Sequence, residues 1–502
     1  MSVNVSECQQ TLLQVYCSSS NGCETVGEKQ IQIELEVSAE RYTPTIIDRI
    51  ELVGTMKNVL ERMIEGTERL VKGYRTFYAI YVEGLYGSGK TLLMRKYCSE
   101  ILRRFSEVIP IYFYLGEQDF LPFTVLERYY NDVKYFVEKH KISSSIVGTP
   151  ELWKDRVGIL RKAIDETKAL EQDELEKFFN VLRKINEEGY YPVVVFDEFE
   201  RVLLTGDGLR SDEGIKCFAQ FSKSYLELIR GHIFTGAFAL VTTFPLIELL
   251  RRAIDMGYPH LDDIERMLKL KIKEKPEQFR MVAPHVVQSY DERVVISWTA
   301  IELDLLARRY GLVVHTDVIG IVAKVLPTPR AIINIAREAL RRGVKKVVRK
   351  QDFMKVIEPR FEEFKERLLR EKVDNKFIIQ PQTRWHEIFE TLLREGMLEI
   401  HRGNYLEVAK VLGIEYDESS KESIRKAKQK VSNILKKLSS LQLYEASGGG
   451  IYRLNPYLLA YFLGIDRLPS GEETSLDRVI EDIKKSVSRL RETARRSRQK
   501  SA

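Results

Sequence analysis

Four short, almost wholly apolar runs organise the first half of the chain: Phe77 to Val82, Val108 to Leu115, Val193 to Phe196 and Ala237 to Val241. Runs of this length, bounded by glycine or charged residues, predict strands buried on both faces. Between them the apolar positions return at helical spacing: from Thr45 to Leu70, from Thr91 to about Phe105, and through most of the highly charged stretch 116–188. Strands alternating with helices predict an α/β fold with a parallel sheet covered on both sides. Upstream, Ile31, Ile33, Leu35 and Val37 alternate with polar residues, the period of a half-buried strand, and residues 1–27 read as a polar, loose terminus.

The second half reads differently. A further strand is expected from Val286 to Ser297, and residues 299–371 are almost entirely helical in period. Residues 372–382 read as a linker. Trp385, Ile388, Phe389, Leu392 and Leu393 then mark one helix, Tyr405 to Leu412 a second, and Glu418 to Leu441 a third, with apolar positions at Ile424, Ala427, Val431, Ile434, Leu435 and Leu438. Two short apolar segments, 441–445 and 451–454, flank Ser447-Gly448-Gly449-Gly450 and predict a hairpin.

Composition narrows the class. With 502 residues, 44% hydrophobic and 30% charged, the chain has the apolar content for several packed cores, which excludes wholesale disorder. Five cysteines are too few for a disulfide scaffold of this size. Cys8, Cys17 and Cys23 match no common zinc spacing, and Cys98 and Cys217 read as isolated buried thiols. No basic segment followed by a long apolar run opens the chain, and the most apolar stretch, Phe234 to Leu250, is short for a membrane span, so a reducing, cytoplasmic setting without a membrane partner is expected. The net charge of +6 is small, but its distribution is uneven. Residues 421–437 hold seven basic residues and one acid, and residues 484–500 hold eight and one.

The sharpest motif is Gly84-Leu85-Tyr86-Gly87-Ser88-Gly89-Lys90-Thr91, a full match to G-x-x-x-x-G-K-[ST] between a predicted strand and a predicted helix. Glycines let backbone N–H groups approach phosphate oxygens closely, and the helix start adds partial positive charge. Lys90 would reach the β and γ phosphates, and Thr91 would offer its hydroxyl to Mg²⁺. A second buried strand, 107 residues on, delivers Asp197 and Glu198 at its C-terminal end, where open α/β sheets place ligand chemistry. Asp197 is expected to hold Mg²⁺ and Glu198 to orient the attacking water. Glu200 reads as the solvated start of the following helix. The strand Ala237 to Val241 ends in two hydroxyls, Thr242 and Thr243, which either face the γ-phosphate and the water or satisfy the turn before Pro245.

These residues resemble the AAA+ ATPases. Gly84 to Thr91 matches their Walker A motif, Asp197-Glu198 their Walker B, and Thr242 or Thr243 their sensor 1. Leu326-Pro327-Thr328-Pro329-Arg330 looks like sensor 2 at the start of a lid helix. The resemblance implies ATP and Mg²⁺ as ligands, Arg330 over the γ-phosphate, and an arginine supplied by a neighbouring AAA+ subunit in a homo- or hetero-oligomer. Arg251, Arg252 and Arg266 are the candidates for that arginine, with Arg266 ranked first. The branch most similar is the archaeal origin-recognition and initiator type, in which a P-loop core and helical lid precede a C-terminal winged helix. Tyr42-Thr43-Pro44 through Leu52 resembles the segment that helps clamp adenine there. Related loops also occur in ATPases of defence and mobile-element systems.

The C-terminal pattern carries a second expectation. Three helices and a glycine-tipped hairpin resemble a winged helix, whose third helix would enter the major groove of double-stranded DNA. Lys421, Arg425, Lys428 and Lys437 lie opposite its apolar positions, and Arg453 falls on the wing. The competing expectation is a winged helix that docks a protein. The arginine-rich tail reads as helical at first, then as a disordered solubilising end or a further phosphate contact. The expected organisation is an N-terminal extension at 1–41, an AAA+ core at 42–245, the remainder of the core and the lid at 246–371, a linker at 372–382, a winged helix at 383–465 and a basic tail at 466–502. The expected function is a DNA-binding, nucleoid-associated ATPase that works as a slow switch.

Overall fold

The structure is a computed structural model. It describes residues 54–115, 119–139, 146–204, 211–229, 233–243, 290–342, 347–379, 384–465 and 476–501, with single residues at 52, 262, 265, 266, 271 and 274. The predicted strand at 31–37, the adenine-clamp segment before Leu52, Arg251, Arg252, Phe244 and Pro245 lie outside the described residues, as do Cys8, Cys17 and Cys23.

Five strands form one parallel sheet: β1 (Phe77–Gly84), β2 (Val108–Tyr114), β3 (Tyr191–Asp197), β4 (Gly236–Thr242) and β5 (Glu292–Ile296). Their spatial order is β2-β3-β4-β1-β5. The three inner strands are apolar along almost their whole length because helices cover both faces. At the β5 edge the pattern alternates, with Val294 and Ile296 buried and Arg293 and Val295 exposed. The described strand begins at Glu292, later than expected, and 286–289 lie outside the described residues.

An aromatic cluster fixes the centre of the sheet. The Phe196 ring meets Phe238 edge-on at 5.0 Å and stacks on Phe113 at 5.2 Å, with Phe120 and Phe221 closing the far side. Ring pairs in these geometries add about 0.5–1.5 kcal/mol each beyond burial. The cluster holds the last turn of β3 in place, so Asp197, the next residue, is delivered at a fixed position and fully buried.

Helices α1 (Thr55–Val71) and α2 (Lys90–Arg104) flank β1. Three helices, α3 (Pro122–Lys139), α4 (Pro150–Lys168) and α5 (Glu174–Glu187), pack on one another between β2 and β3, and α6 (Glu200–Leu204) and α7 (Asp212–Ile229) separate β3 from β4. The lid follows as α8 (Ala300–Arg309), α9 (Thr316–Ala323), α10 (Pro329–Arg341) and α11 (Lys350–Arg370). Its starts are written locally: Thr299 and Glu302 form a capping box on α8, and Thr328 caps α10 ahead of Pro329.

Residues 372–379 are not an open linker. They form a tight hairpin of β6 (Lys372–Val373) and β7 (Lys376–Phe377), with Asp374 and Asn375 at φ 51° and 61°. Two positive-φ residues are what a two-residue primed turn needs, and Asp and Asn tolerate that conformation. Val373, Ile378 and Ile379 are buried, which ties the segment to its surroundings.

The C-terminal unit contains α12 (Trp385–Arg394), β8 (Glu399–Ile400), α13 (Tyr405–Val411), α14 (Lys421–Ser440), β9 (Tyr444–Ala446), β10 (Tyr452–Leu454) and α15 (Pro456–Phe462). The hairpin β9–β10 is joined by β8 into an antiparallel sheet of order β8-β10-β9. The tail is a single helix, α16 (Leu476–Ser501), rather than a disordered end. It docks through Val479, Ile480, Ile483 and Val487, through Lys484 on Glu371 at 2.6 Å, and through Arg491 on the Val373 carbonyl. The Phe462 ring of α15 packs on Phe361 and Phe364 of α11. The lid and the C-terminal unit therefore share a core across the expected boundary.

Candidate functional site: a phosphate loop at the carboxyl end of the sheet

The motif residues converge at one end of β1, β3 and β4. β1 closes at Gly84, where a Cβ would lie 2.8 Å from both the Ile296 carbonyl and Ser88 Oγ. Only glycine fits that approach. Gly87 and Gly89 take φ of 78° and 97°, the left-handed region, and turn the loop directly into α2. Trp298 Nε1 donates to the Ser88 carbonyl at 2.8 Å and pins the loop from the chain after β5. Nothing in the sequence singled out Trp298.

Lys90 is buried, and its ammonium folds back onto the loop. It donates to the carbonyls of Gly84 at 2.7 Å and Leu85 at 3.2 Å, and to Thr243 Oγ1 at 3.3 Å. Burial pushes its pKa down, while Glu200, Asp197 and Glu198 pull it back up. Neutral carbonyls and a hydroxyl do not balance a buried cation, so the loop is suited to receive an anion. Ser88 Oγ is buried with no hydrogen-bond partner, a further polar group left for a ligand. These features fit the phosphates of a nucleotide.

Thr91 Oγ1 donates to Asp197 Oδ2 at 2.8 Å, and Tyr112 donates to the same oxygen at 2.5 Å. Asp197 Oδ1 takes the Glu198 amide at 2.9 Å. Burial raises the Asp197 pKa, and the neighbouring Glu198 charge raises it further, so a cation beside it would be favourable. A hydroxyl and a carboxylate side by side are hard oxygen donors of the kind Mg²⁺ takes. Tyr112 was not expected here from the sequence; it arrives because β2 neighbours β3 in register, with Tyr112 opposite Val195.

Glu198 has φ 56°, an unusual conformation for a non-glycine residue, and its carboxylate pairs with Arg201 at 3.5 Å. Glu200 departs from expectation. It is no solvated helix start: it is 3% exposed, and its Oε1 accepts a hydrogen bond from Thr243 Oγ1, while its Oε2 has no hydrogen-bond partner. Burial raises its pKa, opposed by Lys90. The sequence hid this because one turn after a strand end a side chain points either outward or back over the sheet, and the turn geometry decides. Of the two threonines, Thr243 reaches Lys90 and Glu200; Thr242 completes β4 opposite Glu83.

Arg330 comes over the loop from the start of α10. Its guanidinium lies 4.9 Å from the centre of the Tyr86 ring and donates to the Tyr86 hydroxyl at 3.1 Å, and its amide approaches the Gly87 carbonyl at 3.4 Å. Arg266 is exposed. Cys98 and Cys217 are buried, and burial pushes both thiols up, which fits inert packing rather than chemistry.

A second candidate surface lies on α14. Ser420 caps it, and Ala427, Val431, Leu435 and Leu438 face the core. The Val and Leu side chains contribute about 1.5–3 kcal/mol each by burial, enough to fix the helix without help from its other face. Lys421, Arg425, Lys428 and Lys437 are exposed on that other face. Lys426 is spent on Glu422 at 2.8 Å. Arg453 lies on β10 but is paired with Glu399 at 2.8 Å, so its charge is already balanced. Gly448, Gly449 and Gly450 at the hairpin tip all have positive φ.

A phosphate loop after the first strand, acids at the end of the third and the order β2-β3-β4-β1-β5 define the P-loop AAA+ α/β fold with a helical lid. No family model matches the chain, and no curated protein matches its sequence. Among solved structures it is similar to the Aeropyrum pernix ORC1 protein in complex with DNA, at 16% identity and TM-score 0.38, over 86% of this chain and 96% of that one. It is also similar to Cdc6p from Pyrobaculum aerophilum, at 13% identity and TM-score 0.39, over 91% and 98%. The Thermotoga maritima RuvB Holliday junction branch migration motor matches at 13% and 0.29, over 80% and 92%.

Proposed function

We propose that this protein is an ATPase of initiator type that binds ATP with Mg²⁺ at residues 84–91, hydrolyses it, and works as a switch on double-stranded DNA. The observation that carries the reading is the buried Lys90 ammonium, held by loop carbonyls and surrounded by Thr91, Asp197, Glu198, Thr243 and Arg330. In this reading the loop amides and Lys90 bind the phosphates, and Thr91 and Asp197 hold the metal. Glu198, released from Arg201, orients the water, and Arg330 couples the lid to the bound phosphates. Mg²⁺ supplies charge neutralisation on the phosphate oxygens when bound.

The C-terminal unit reads as a winged helix, with α14 as the element entering the major groove and β9–β10 as the wing. The exposed cations of α14 and the glycine tip support that reading. An assembly of AAA+ subunits would bring an arginine, with Arg266 the described candidate, to a neighbour's site, and the protein would act in the cytoplasm at the nucleoid.

The test is an ATP titration of Lys90→Ala against the unaltered protein in Mg²⁺. Loss of binding with an unchanged melting temperature supports the reading; equal binding overturns it.

A further inference from the structure

We infer that Glu200 is a positioning residue that forces the Thr243 hydroxyl to act as a hydrogen-bond acceptor, so that Thr243 holds the attacking water and does not donate to the γ-phosphate. The inference rests on the ATPase reading above and deepens it.

The geometry is a chain of three groups. Lys90 Nζ lies 3.3 Å from Thr243 Oγ1, and Thr243 Oγ1 in turn contacts Glu200 Oε1. An ammonium only donates and an ionised carboxylate only accepts. Between them the single threonine proton has one place to go, onto Glu200. The order is therefore N–H to hydroxyl oxygen, then O–H to carboxylate. All three residues are buried, so solvent does not reshuffle the chain. The Lys90 charge on one side keeps Glu200 ionised against its burial.

When Lys90 turns to the phosphates, Thr243 keeps its proton on Glu200 and offers only lone pairs to the site. A fully ionised phosphate oxygen also offers only lone pairs, so the two cannot bond. Water can, because it brings hydrogens. Glu200 Oε2, buried and without a hydrogen-bond partner, is a second acceptor of the same kind beside it. The result is an acceptor pair at the end of β4 that selects a donor such as water, with no covalent role for either residue.

The assignment is checked in the full-length protein with ATP and ADP affinities and turnover, for Thr243→Val, Thr243→Ser and Glu200→Gln. Valine matches threonine in shape and removes the hydroxyl. We expect turnover to fall at least about tenfold in Thr243→Val, since water-positioning groups of this kind contribute about 10²–10⁴-fold. The ratio of ATP to ADP affinity stays within about twofold of the unaltered protein, because the Thr243 hydroxyl donates nothing to the γ-phosphate. Thr243→Ser restores turnover. Glu200→Gln lowers turnover and leaves ADP affinity in place. A selective fall of ATP affinity relative to ADP in Thr243→Val overturns the inference, since it would show a donor to the γ-phosphate. Unchanged turnover in both Thr243→Val and Glu200→Gln overturns it as well. If Lys90→Ala still binds ATP, the ATPase reading itself has failed; if Lys90→Ala fails to bind while the Thr243 variants behave as wild type, only this inference has failed. Should Glu200→Gln lose its melting transition, the Thr243 pair alone decides.

Discussion

The Arg330 guanidinium rests on the Tyr86 ring, 4.9 Å from its centre, and donates to the Tyr86 hydroxyl at 3.1 Å. One residue starts the lid helix and the other sits in the middle of the phosphate loop. A cation–π contact of this kind is worth about 0.5–2 kcal/mol, depending on how far it is desolvated. The lid is thus latched to the loop before any ligand arrives, and whatever draws Arg330 away must reposition the lid.

Gly87→Ala tests the latch sterically. A Cβ there would lie 2.6 Å from Arg330 Cβ, and the backbone φ of 78° is itself unfavourable for alanine. The left-handed conformation costs alanine about 1–2 kcal/mol, and the clash adds to it by pushing α10 off the loop. The expected outcome is a melting temperature lowered by several degrees together with weaker ATP binding. A melting curve and an ATP titration read the two effects. Gly73→Ala, where no atom lies within 4 Å of the new Cβ, should show only the backbone effect.

Glu198→Gln separates binding from turnover. The carboxylate pairs with Arg201 at 3.5 Å and lies beside the Asp197 cluster. The amide keeps the size and removes the charge. ATP binding should persist while turnover falls at least about tenfold. Single-turnover hydrolysis at saturating ATP checks this, and wild-type turnover in the variant would assign the base elsewhere.

The basic face of α14 gives a prediction about DNA. Replacing Lys421, Arg425 and Lys428 together by Glu leaves Ala427, Val431, Leu435 and Leu438 in their core, so the fold should hold. Duplex affinity should collapse at moderate salt, while ATP hydrolysis continues. For the unaltered protein, log affinity should fall linearly with log salt, and each phosphate left without its cation should reduce the slope by about 1. The full chain is the right material, because α15 and α16 pack on α11. Equal duplex binding by the triple variant would assign this face to a protein partner.

The anchoring of α16 should respond to acid. The Lys484 hydrogen bond holds the Glu371 carboxyl below its ordinary value of 4.5. A carboxyl with a lowered folded-state pKa contributes stability that is complete above its ordinary pKa and is lost as pH falls through the lowered one. Proteolysis near the tail should therefore stay slow at neutral pH and accelerate below about pH 4.5, before the sheet opens. Glu371→Gln should accelerate it at neutral pH. Identical cleavage rates for Glu371→Gln and wild type would show that the apolar contacts alone hold the helix.

The inner sheet and the phosphate loop were legible in the chain before any fold was known. A strand buried on both faces must be apolar throughout, so Phe77 to Val82 and Val193 to Phe196 announced themselves, and a phosphate loop needs glycine where a Cβ would strike backbone, as at Gly84. Asp197 was legible for the same reason: it is the first acid after a buried run. The apolar period of α14 also separated its core face from its basic one. Contacts that cross between distant segments came only with the assembled fold. Tyr112 reaches Asp197 only because β2 lies next to β3, and Trp298 reaches Ser88 only because β5 lies next to β1. Packing chose Thr243 over Thr242, turned Glu200 inward, balanced Arg453 with Glu399, and folded 372–379 into a hairpin under a docked tail helix. The physical reason is common to all of these. Local periodicity reports which side of an element is apolar, whereas the direction of a single polar side chain depends on a partner that the sequence places tens to hundreds of residues away.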